Sequence, residues 1–321
     1  MLARQACRRS GSLHRRHATK DVQQHVPTLP NSNTETFREL AFTASTPYLL
    51  PRHYFAHIPA ITKWFTAPTR PDDAASLNTR YLSRFGSTIV PLEITNEGNF
   101  TQIQQSLSFF LECVTASTST FVPEKPSRYF SGFVPGARAI KRTEATNDFF
   151  SASTLTAPAA RVYLAQASLS DLPQALKNDV PTPELVLKAG KGDVYETSIW
   201  LGQAPTYTPL HRDPNPNLFV QLAGRKQVRL FPPLTGKAIF AYVQEQIGGD
   251  ANATMRGEEM MQGAERRAFE AVVWDESSEY AGRAQCAELE AGDGLFIPKG
   301  WWHSVRGTGE GMTGSVNWWF R

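Results

Sequence analysis

The fold is decided by GDGLFIPKGWWH (residues 292–303), an apolar, strand-like segment that begins at a Gly-Asp-Gly turn and ends in His303. An upstream segment, HRD (residues 211–213), lies in similar strand-like surroundings. Because residues i and i+2 of a strand point to the same side, His211 and Asp213 can face one point while the residue between them faces away. We therefore expect these two side chains to meet His303, which has to arrive from an adjacent strand.

Two imidazoles and one carboxylate form a donor set of defined chemistry. On a single face they leave the other coordination positions of a metal ion open, which suits a non-haem Fe(II) that binds a cosubstrate and O₂. A His-x-Asp pair alone is common and carries little information. Its combination with a distant histidine that follows FIPKGWW (residues 296–302) is specific. The sequence thus predicts that His211, Asp213 and His303 bind iron.

Lys226 provides a separate signal. In a strand over residues 226–231 it shares parity with Val228 and Leu230, so the lysine lies on the apolar face, while Gln227 and Arg229 take the other face. A buried ammonium group needs an anion, and a carboxylate of a cosubstrate is the candidate. The alternative is a lysine at a strand end whose charged head reaches solvent.

Most of the C-terminal half consists of short, strand-like segments separated by glycine and proline. They cover residues 193–201, 207–213, 217–223, 226–231, 295–298, 302–305 and 313–320. Several short strands with turn signals between them indicate a barrel or sandwich, and a jelly roll fits the length. Residues 234–285 differ, with helical patterns at 238–247 and 258–273. An insertion of this size between strands often covers the mouth of a site.

The part of the chain before the barrel is mixed. Residues 21–35 are polar, contain two prolines and are interpreted as a linker. Residues 36–150 are predicted to form a helical or mixed flanking region, followed by the catalytic domain over residues 151–321. Within the flanking region the patterns indicate a helix at 59–65, a strand at 89–94 and a helix at 100–114.

Composition bounds the class of protein. The 321 residues are 41% hydrophobic, which suits one large domain or one domain with an N-terminal extension. No apolar run approaches the roughly 18 residues that a membrane span needs. The three cysteines, Cys7, Cys113 and Cys286, are scattered. Their spacing argues against a disulfide framework or a zinc–thiolate site and favours a reducing compartment.

The first twenty residues form a basic leader without an acidic residue. Its charges are Arg4, Arg8, Arg9, Arg15, Arg16 and Lys20. This composition is typical of a mitochondrial transit peptide and predicts the matrix as the location. A basic tail or nuclear signal, on a nuclear or cytoplasmic protein, is the alternative. Without the six charges, 27 basic residues (33 − 6) stand against 30 acidic ones, so the body of the chain is not a general nucleic-acid binder.

The motifs together resemble a known family. Residues 208–233 (TPLHRDPNPNLFVQLAGRKQVRLFPP), residues 292–303 and VNWW (residues 316–319) are similar to a jumonji-C (JmjC), cupin-like Fe(II)/2-oxoglutarate-dependent oxygenase. The similarity is greatest to the small hydroxylase branch, which includes asparaginyl and arginyl protein hydroxylases. It covers residues 160–321 closely and residues 37–114 more loosely. The implied fold is mainly β: a double-stranded β-helix, or jelly roll, with flanking N-terminal helices and a helical insertion.

The resemblance also implies roles for single residues. His211, Asp213 and His303 would be the catalytic iron ligands. Lys226, Thr208 and Tyr163 would bind the distal carboxylate of 2-oxoglutarate. The polar residues near the keto-acid end would be Asn217 and Asn317, with Trp319 on the same strand face. Trp200 either lines the pocket or belongs to the core.

The implied reaction uses Fe(II), 2-oxoglutarate and O₂ to hydroxylate a protein side chain, with release of succinate and CO₂. N-methyl-lysine demethylation and hydroxylation of a tRNA base are alternatives within the family, although a protein partner is favoured over RNA. A non-catalytic cupin scaffold and a cupin metalloenzyme of another kind, such as an isomerase, are the alternatives from other classes. The intact donor set and the inward lysine count against both.

Overall fold

The structure is a computed structural model, and it describes residues 24–66, 74–96, 99–119, 161–249 and 262–321. The basic leader lies outside these residues, so its role in targeting stays a prediction. The strands are β1 Gln24–His25, β2 Tyr48–Leu49, β3 Phe65–Thr66, β4 Ser76–Leu77, β5 Ile89–Asn96, β6 Asn99–Ser106, β7 Arg161–Ser168, β8 Val194–Gln203, β9 Tyr207–Arg212, β10 Asn217–Ala223, β11 Arg225–Phe231, β12 Gln285–Leu289, β13 Gly294–Ile297, β14 Trp302–Thr308 and β15 Met312–Phe320.

The helices lie outside the sheets. They are α1 Thr34–Thr36, α2 Pro59–Lys63, α3 Thr79–Leu82, α4 Leu107–Ser119, α5 Gln174–Asn178, α6 Glu184–Lys188, α7 Pro233–Ile247 and α8 Gly263–Trp274. Helix α1 continues as a π-helical segment, Phe37–Thr43, and single 3₁₀ turns occur at Ser83–Phe85, Leu169–Asp171 and Ala281–Arg283. None of the helices in the described ranges is long and apolar enough to cross a bilayer.

Two sheets form the jelly roll. One has eight strands in the order β2-β13-β10-β15-β8-β7-β5-β6, and the other has five in the order β1-β12-β11-β14-β9. From β8 to β15 the chain passes repeatedly between the two sheets, and every pairing among these strands is antiparallel. This connectivity confirms the predicted jelly roll.

A core of apolar side chains lies between the sheets. Phe219 and Leu295 of the eight-stranded sheet form one buried cluster with Val228, Leu230 and Val305 of the five-stranded sheet. Strand β10 is buried along its whole length. Its other face packs on the N-terminal helices, and for this reason five of its seven residues are apolar and the sequence does not alternate.

The described part of the insertion packs on the outside of the five-stranded sheet. Helices α7 and α8 form a buried cluster with Phe231 and Trp302 at the ends of β11 and β14. Arg229, which faces away from the sandwich as expected, is buried beneath them, and its Nη1 donates to the carbonyl of Val273 at 2.7 Å. The expectation that the insertion covers the mouth of the site is not met by these two helices.

Two predictions for the N-terminal part are wrong. Residues 100–106 form strand β6, not the first half of a helix, because pairing with β5 places Ile103 opposite Leu92. Only the second half of the pattern becomes helical, as α4. Residues 24–35 are not a free linker. Gln24–His25 pairs with β12, and the apolar side chains of Val26 and Leu29 are buried against the body of the protein.

Candidate metal centre

The three predicted iron ligands converge at one end of the sandwich. His211 and His303 are direct partners across strands β9 and β14, and Asp213 follows the last residue of β9. Asp213 Oδ1 lies 4.0 Å from His211 Nε2, and its Oδ2 lies 3.6 Å from His303 Nε2. One donor atom from each residue lies within 4.8 Å of the other two. Metal–ligand bonds of about 2.0–2.2 Å place donors of one ion at about this separation, so the set fits a single ion.

Both histidines are oriented by their own backbone. His211 Nδ1 lies 2.8 Å from the carbonyl oxygen of Pro209, and His303 Nδ1 lies 3.4 Å from that of Trp301. Each acceptor is two residues before its histidine, so the strand itself provides it. An Nδ1–H that donates to a carbonyl leaves the lone pair on Nε2, which is the nitrogen that faces Asp213. The rings are therefore arranged to ligate through Nε2.

A chain of amides holds the carboxylate. Asn217 Nδ2 donates to Asp213 Oδ2 at 2.9 Å, and Asn317 Nδ2 donates to Asn217 Oδ1 at 3.0 Å. The Trp319 indole also donates to Asp213. Asn317 Oδ1 is buried and has no hydrogen-bond partner among the described residues. The resemblance implied that these three residues lie near the keto-acid end, and the structure brings them to the carboxylate of Asp213.

The protonation states suit metal binding. Burial, together with the neighbouring His211, lowers the pKa of His303 to about 4, so this imidazole is neutral at neutral pH. Burial on its own would raise the pKa of Asp213. The two imidazoles and the hydrogen bonds from Trp319 and Asn217 outweigh it and lower that pKa below its ordinary value. A neutral imidazole and an ionised carboxylate are the forms that coordinate a cation.

The triad opens into a small cavity of about 40 Å³. All nine site residues predicted from the sequence line it. They are His211, Asp213, His303, Lys226, Thr208, Tyr163, Asn217, Asn317 and Trp319. Trp200 lines it too, with its ring centroid 6.1 Å from that of Tyr163. Of the two interpretations of this tryptophan, the structure supports the pocket.

Lys226 lies at the inner end of the cavity and is only 4% exposed. Its Nζ donates to Ser315 Oγ at 2.7 Å and stands 5.3 Å from the centroid of the Phe219 ring. No carboxylate in the described ranges pairs with it. Burial therefore lowers the pKa of the amine to about 7. A carboxylate entering the cavity would supply the missing counter-charge.

Three lining residues were missed from the sequence: Phe219, Val305 and Ser315. Ser315 was detectable in principle, because it has the same strand parity on β15 as Asn317 and Trp319. Its contact with Lys226 could not be predicted, because strand parity does not show that β15 lies opposite Lys226. Phe219 and Val305 look like ordinary core residues, and the lining they form is apolar.

The residues present fit both Fe(II) and 2-oxoglutarate, the two groups that the resemblance implies. Two neutral nitrogens and one carboxylate oxygen, with open positions beside them, suit Fe(II). A buried amine without a carboxylate partner, an inward Ser315 hydroxyl and the apolar Phe219 and Val305 suit one end of a small dicarboxylate. The cavity joins the two, and the unpartnered Asn317 Oδ1 indicates that a polar ligand belongs between them.

The chain is similar to known proteins with a cupin-like or JmjC domain. A family model described as a cupin-like domain matches residues 34–321. Lysine-specific demethylase JMJ30 of Arabidopsis thaliana is 30% identical over 165 residues, which are 51% of this chain and 35% of that protein. Lysine-specific demethylase 8 of Danio rerio is 29% identical over 162 residues, 49% of this chain and 36% of that protein.

A longer match is found with Jumonji C domain-containing protein 5 of Drosophila melanogaster. It is 25% identical over 300 residues, which are 92% of this chain and 59% of that protein. The matched regions thus span between about one third and three fifths of the length of these relatives. The resemblance predicted from the motifs is confirmed at the level of the JmjC, cupin-like domain.

Proposed function

Because this chain belongs to the cupin-like domain family, with JmjC proteins among its relatives, we propose that it is an Fe(II)- and 2-oxoglutarate-dependent oxygenase. The proposed reaction hydroxylates a side chain of a protein substrate and releases succinate and CO₂. One observation carries the proposal: a His-Asp-His set and a buried lysine, which has no carboxylate partner among the described residues, line the same small cavity.

Each group of residues has a task in this reaction. His211, Asp213 and His303 would hold Fe(II), and Lys226, Thr208 and Tyr163 would hold the distal carboxylate of 2-oxoglutarate. The bound iron would supply O₂ activation coupled to decarboxylation of the cosubstrate. The amide chain through Asn217 keeps the Asp213 carboxylate in one orientation. Apolar walls around the keto acid limit the access of water.

Hydroxylation and demethylation would use the same cavity. Two of the relatives are named lysine-specific demethylases, so removal of an N-methyl group is the second candidate. We favour hydroxylation because the motifs of residues 208–233 and 292–303 resemble the small hydroxylase branch most. A non-catalytic scaffold would not need an intact donor set together with a buried amine that lacks a counter-ion.

Anaerobic reconstitution tests the proposal. The purified chain is titrated with Fe(II) and 2-oxoglutarate, and we expect the visible charge-transfer band of a keto acid chelated to iron. Admission of O₂ should then produce succinate. Peptides trapped with the protein are analysed by mass spectrometry, where one added oxygen atom indicates hydroxylation and the loss of a methyl group indicates demethylation. The absence of both the band and succinate would reject an oxygenase.

The pKa of Lys226 predicts how cosubstrate affinity depends on pH. Burial lowers that pKa to about 7, so the amine of the empty protein loses its proton as the pH rises through neutrality. A dicarboxylate favours the charged amine and raises its pKa again, so binding takes up a proton above about pH 7. We expect the affinity for 2-oxoglutarate to fall by up to about tenfold per pH unit between pH 7.5 and 9.

The measurement is the dissociation constant from the charge-transfer band at a series of pH values. Lys226→Arg is the matched variant, because a guanidinium stays protonated throughout this range. It should bind more weakly at pH 7 and show a flatter profile than the wild type. If the affinity for 2-oxoglutarate depended on pH with the same slope in both proteins, a group other than Lys226 would be titrating.

A further inference from the structure

Strand β9 contributes to the metal cavity from an irregular stretch of backbone. It lies at the end of the five-stranded sheet and, in the described ranges, pairs only with β14. The register shifts within this pairing, so that Pro209 and Leu210 together stand opposite the single residue Ser304. Two residues opposite one form a β-bulge, which interrupts the backbone pairing and changes the direction of the side chains beyond it. Proline has no N–H, so Pro209 could not complete a regular ladder.

The bulge directs into the cavity two side chains that a regular strand would point to opposite faces. Thr208 and His211 are three residues apart, and an odd spacing on a regular strand places side chains on opposite sides. Both nevertheless line the metal cavity, whereas Tyr207 and Leu210 pack on the buried cluster of the insertion helices. The proposed cosubstrate contact and the candidate metal ligand therefore reach one cavity because the strand is bulged between them.

A chain of hydrogen bonds from the insertion ends at this bulge. Trp274 Nε1, on helix α8, donates to Ser304 Oγ at 2.9 Å, and Ser304 Oγ donates to the carbonyl oxygen of Thr208 at 2.8 Å. Both Ser304 and Trp274 are buried. A carbonyl group away from water needs a donor, and the Ser304 hydroxyl supplies one where the bulge interrupts the pairing of β9 with β14.

Helix α8 contacts β9 and β14 through one of its faces. Arg266, Glu270 and Trp274 follow one another at intervals of four residues, so they lie on the same side of the helix. The Arg266 guanidinium lies 4.9 Å from the centroid of the Tyr207 ring, at the start of β9. On β14, Arg306 Nη2 donates to Glu270 Oε1 at 2.9 Å, and its guanidinium lies 4.4 Å from the centroid of the Trp274 ring. These contacts hold the indole N–H beside the bulge.

We propose that Ser304 and Trp274 are positioning residues: through the carbonyl of Thr208 they hold the bulge of β9, and the bulge keeps Thr208 and His211 directed into the cavity. This inference rests on the proposed function, in which Thr208 contacts 2-oxoglutarate. A movement of the bulge would displace Thr208 together with the Pro209 carbonyl, which accepts from His211 Nδ1 at 2.8 Å. The insertion thus acts on the site from behind the five-stranded sheet, without covering its mouth.

Two variants of the full chain test the proposal. Ser304→Ala removes both hydrogen bonds, and Trp274→Phe removes the indole N–H but keeps an aromatic ring. The first measurement is amide hydrogen exchange of the metal-free protein, followed by mass spectrometry of peptides that cover residues 207–212. Because a local hydrogen bond is lost, these amides should exchange about tenfold faster in Ser304→Ala and at least about threefold faster in Trp274→Phe. Exchange in β10, at residues 217–223, should not change.

The second measurement is the dissociation constant of 2-oxoglutarate, obtained from the charge-transfer band with Fe(II). It should rise about tenfold in Ser304→Ala and at least about threefold in Trp274→Phe, because Thr208 is no longer held in the orientation that meets the cosubstrate. If Ser304→Ala does not fold, Trp274→Phe decides the question.

Val273→Ala is the matched control for a loss of stability. Val273 precedes Trp274 on α8 and is fully buried in the same apolar cluster. Shortening it leaves a cavity and should lower the unfolding temperature, but both hydrogen bonds stay in place. This variant should bind 2-oxoglutarate as tightly as the wild type. If its affinity fell as far as that of Ser304→Ala and Trp274→Phe, general stability and not positioning would explain the effect, and the proposal would be wrong.

The two measurements distinguish this proposal from the oxygenase proposal. If the wild type gives no charge-transfer band, the oxygenase proposal fails, and the exchange of residues 207–212 alone decides whether Ser304 and Trp274 hold the bulge. If the band forms but Ser304→Ala and Trp274→Phe keep the wild-type affinity for 2-oxoglutarate, the oxygenase stands and the positioning role is wrong.

Discussion

Asp213→Ala is expected to abolish succinate production from 2-oxoglutarate, with a loss of at least about 10³-fold. The carboxylate is the one anionic donor of the set, and both imidazoles lie within 4.0 Å of it through Nε2. Its removal leaves two neutral nitrogens, which hold Fe(II) weakly and no longer fix the positions left open. His211→Ala and His303→Ala should have effects of similar size, because each also removes one of only three donors.

The measurement is the rate of succinate formation by the purified variants under saturating Fe(II), with iron retention measured in parallel. His57→Ala serves as the control, since this exposed histidine lies outside the site and bonds only to the carbonyl of Tyr54 in the described structure. It should keep full activity. Succinate production at the wild-type rate in Asp213→Ala would remove the metal assignment.

Lys226→Met is expected to weaken 2-oxoglutarate binding by about 30-fold to several thousandfold, the equivalent of about 2–5 kcal/mol. The ammonium group is the only cation that lines the metal cavity in the described structure, so a bound carboxylate would lose its charge-assisted hydrogen bond. Iron affinity should change little, because the amine does not belong to the donor set. Titration of the charge-transfer band and of iron binding measures the two constants separately.

The same variant should be more stable than the wild type when no cosubstrate is present. Removing an ammonium group from water costs free energy, and the hydrogen bond to the neutral Ser315 hydroxyl offsets little of this cost. Methionine has similar length and no charge. Lys237→Met, on the exposed side of helix α7, is the control for both measurements. Equal cosubstrate affinity in wild type and Lys226→Met would reject the proposed role of the lysine.

The residues of the site could be predicted from the sequence because they lie at short, characteristic spacings within strands. His-x-Asp on a strand points two side chains to one side, and the parity of Lys226 with Val228 and Leu230 predicted its burial. Seven barrel strands were predicted to within three residues of their observed ends, because apolar segments between glycine and proline mark the strands of a buried sheet, whereas β12 was not predicted. The family resemblance supplied the polar residues around the metal, and they line the same cavity.

Local patterns failed where long-range pairing decided the structure. Residues 100–106 fit a helical stripe, yet the available edge of β5 made them a strand. The polar segment before α1 was predicted to be a linker, but the apolar side chains of Val26 and Leu29 are buried in the structure. The insertion was correctly predicted to be helical. Its position on the outer face of the five-stranded sheet depends on Arg229 and the apolar cluster beneath it, which are distant in sequence.

By itself, the sequence determined the fold class and the three residues of the candidate metal centre, because strand periodicity and donor type act over a few neighbouring residues. Only the tertiary structure decided that Ser315 lies opposite Lys226 and that Asn317 and Asn217 support Asp213. Both features depend on contacts between side chains of strands that are distant in the sequence. The physical reason is that the order and extent of strand pairing depend on contacts across the whole chain, which no local pattern specifies.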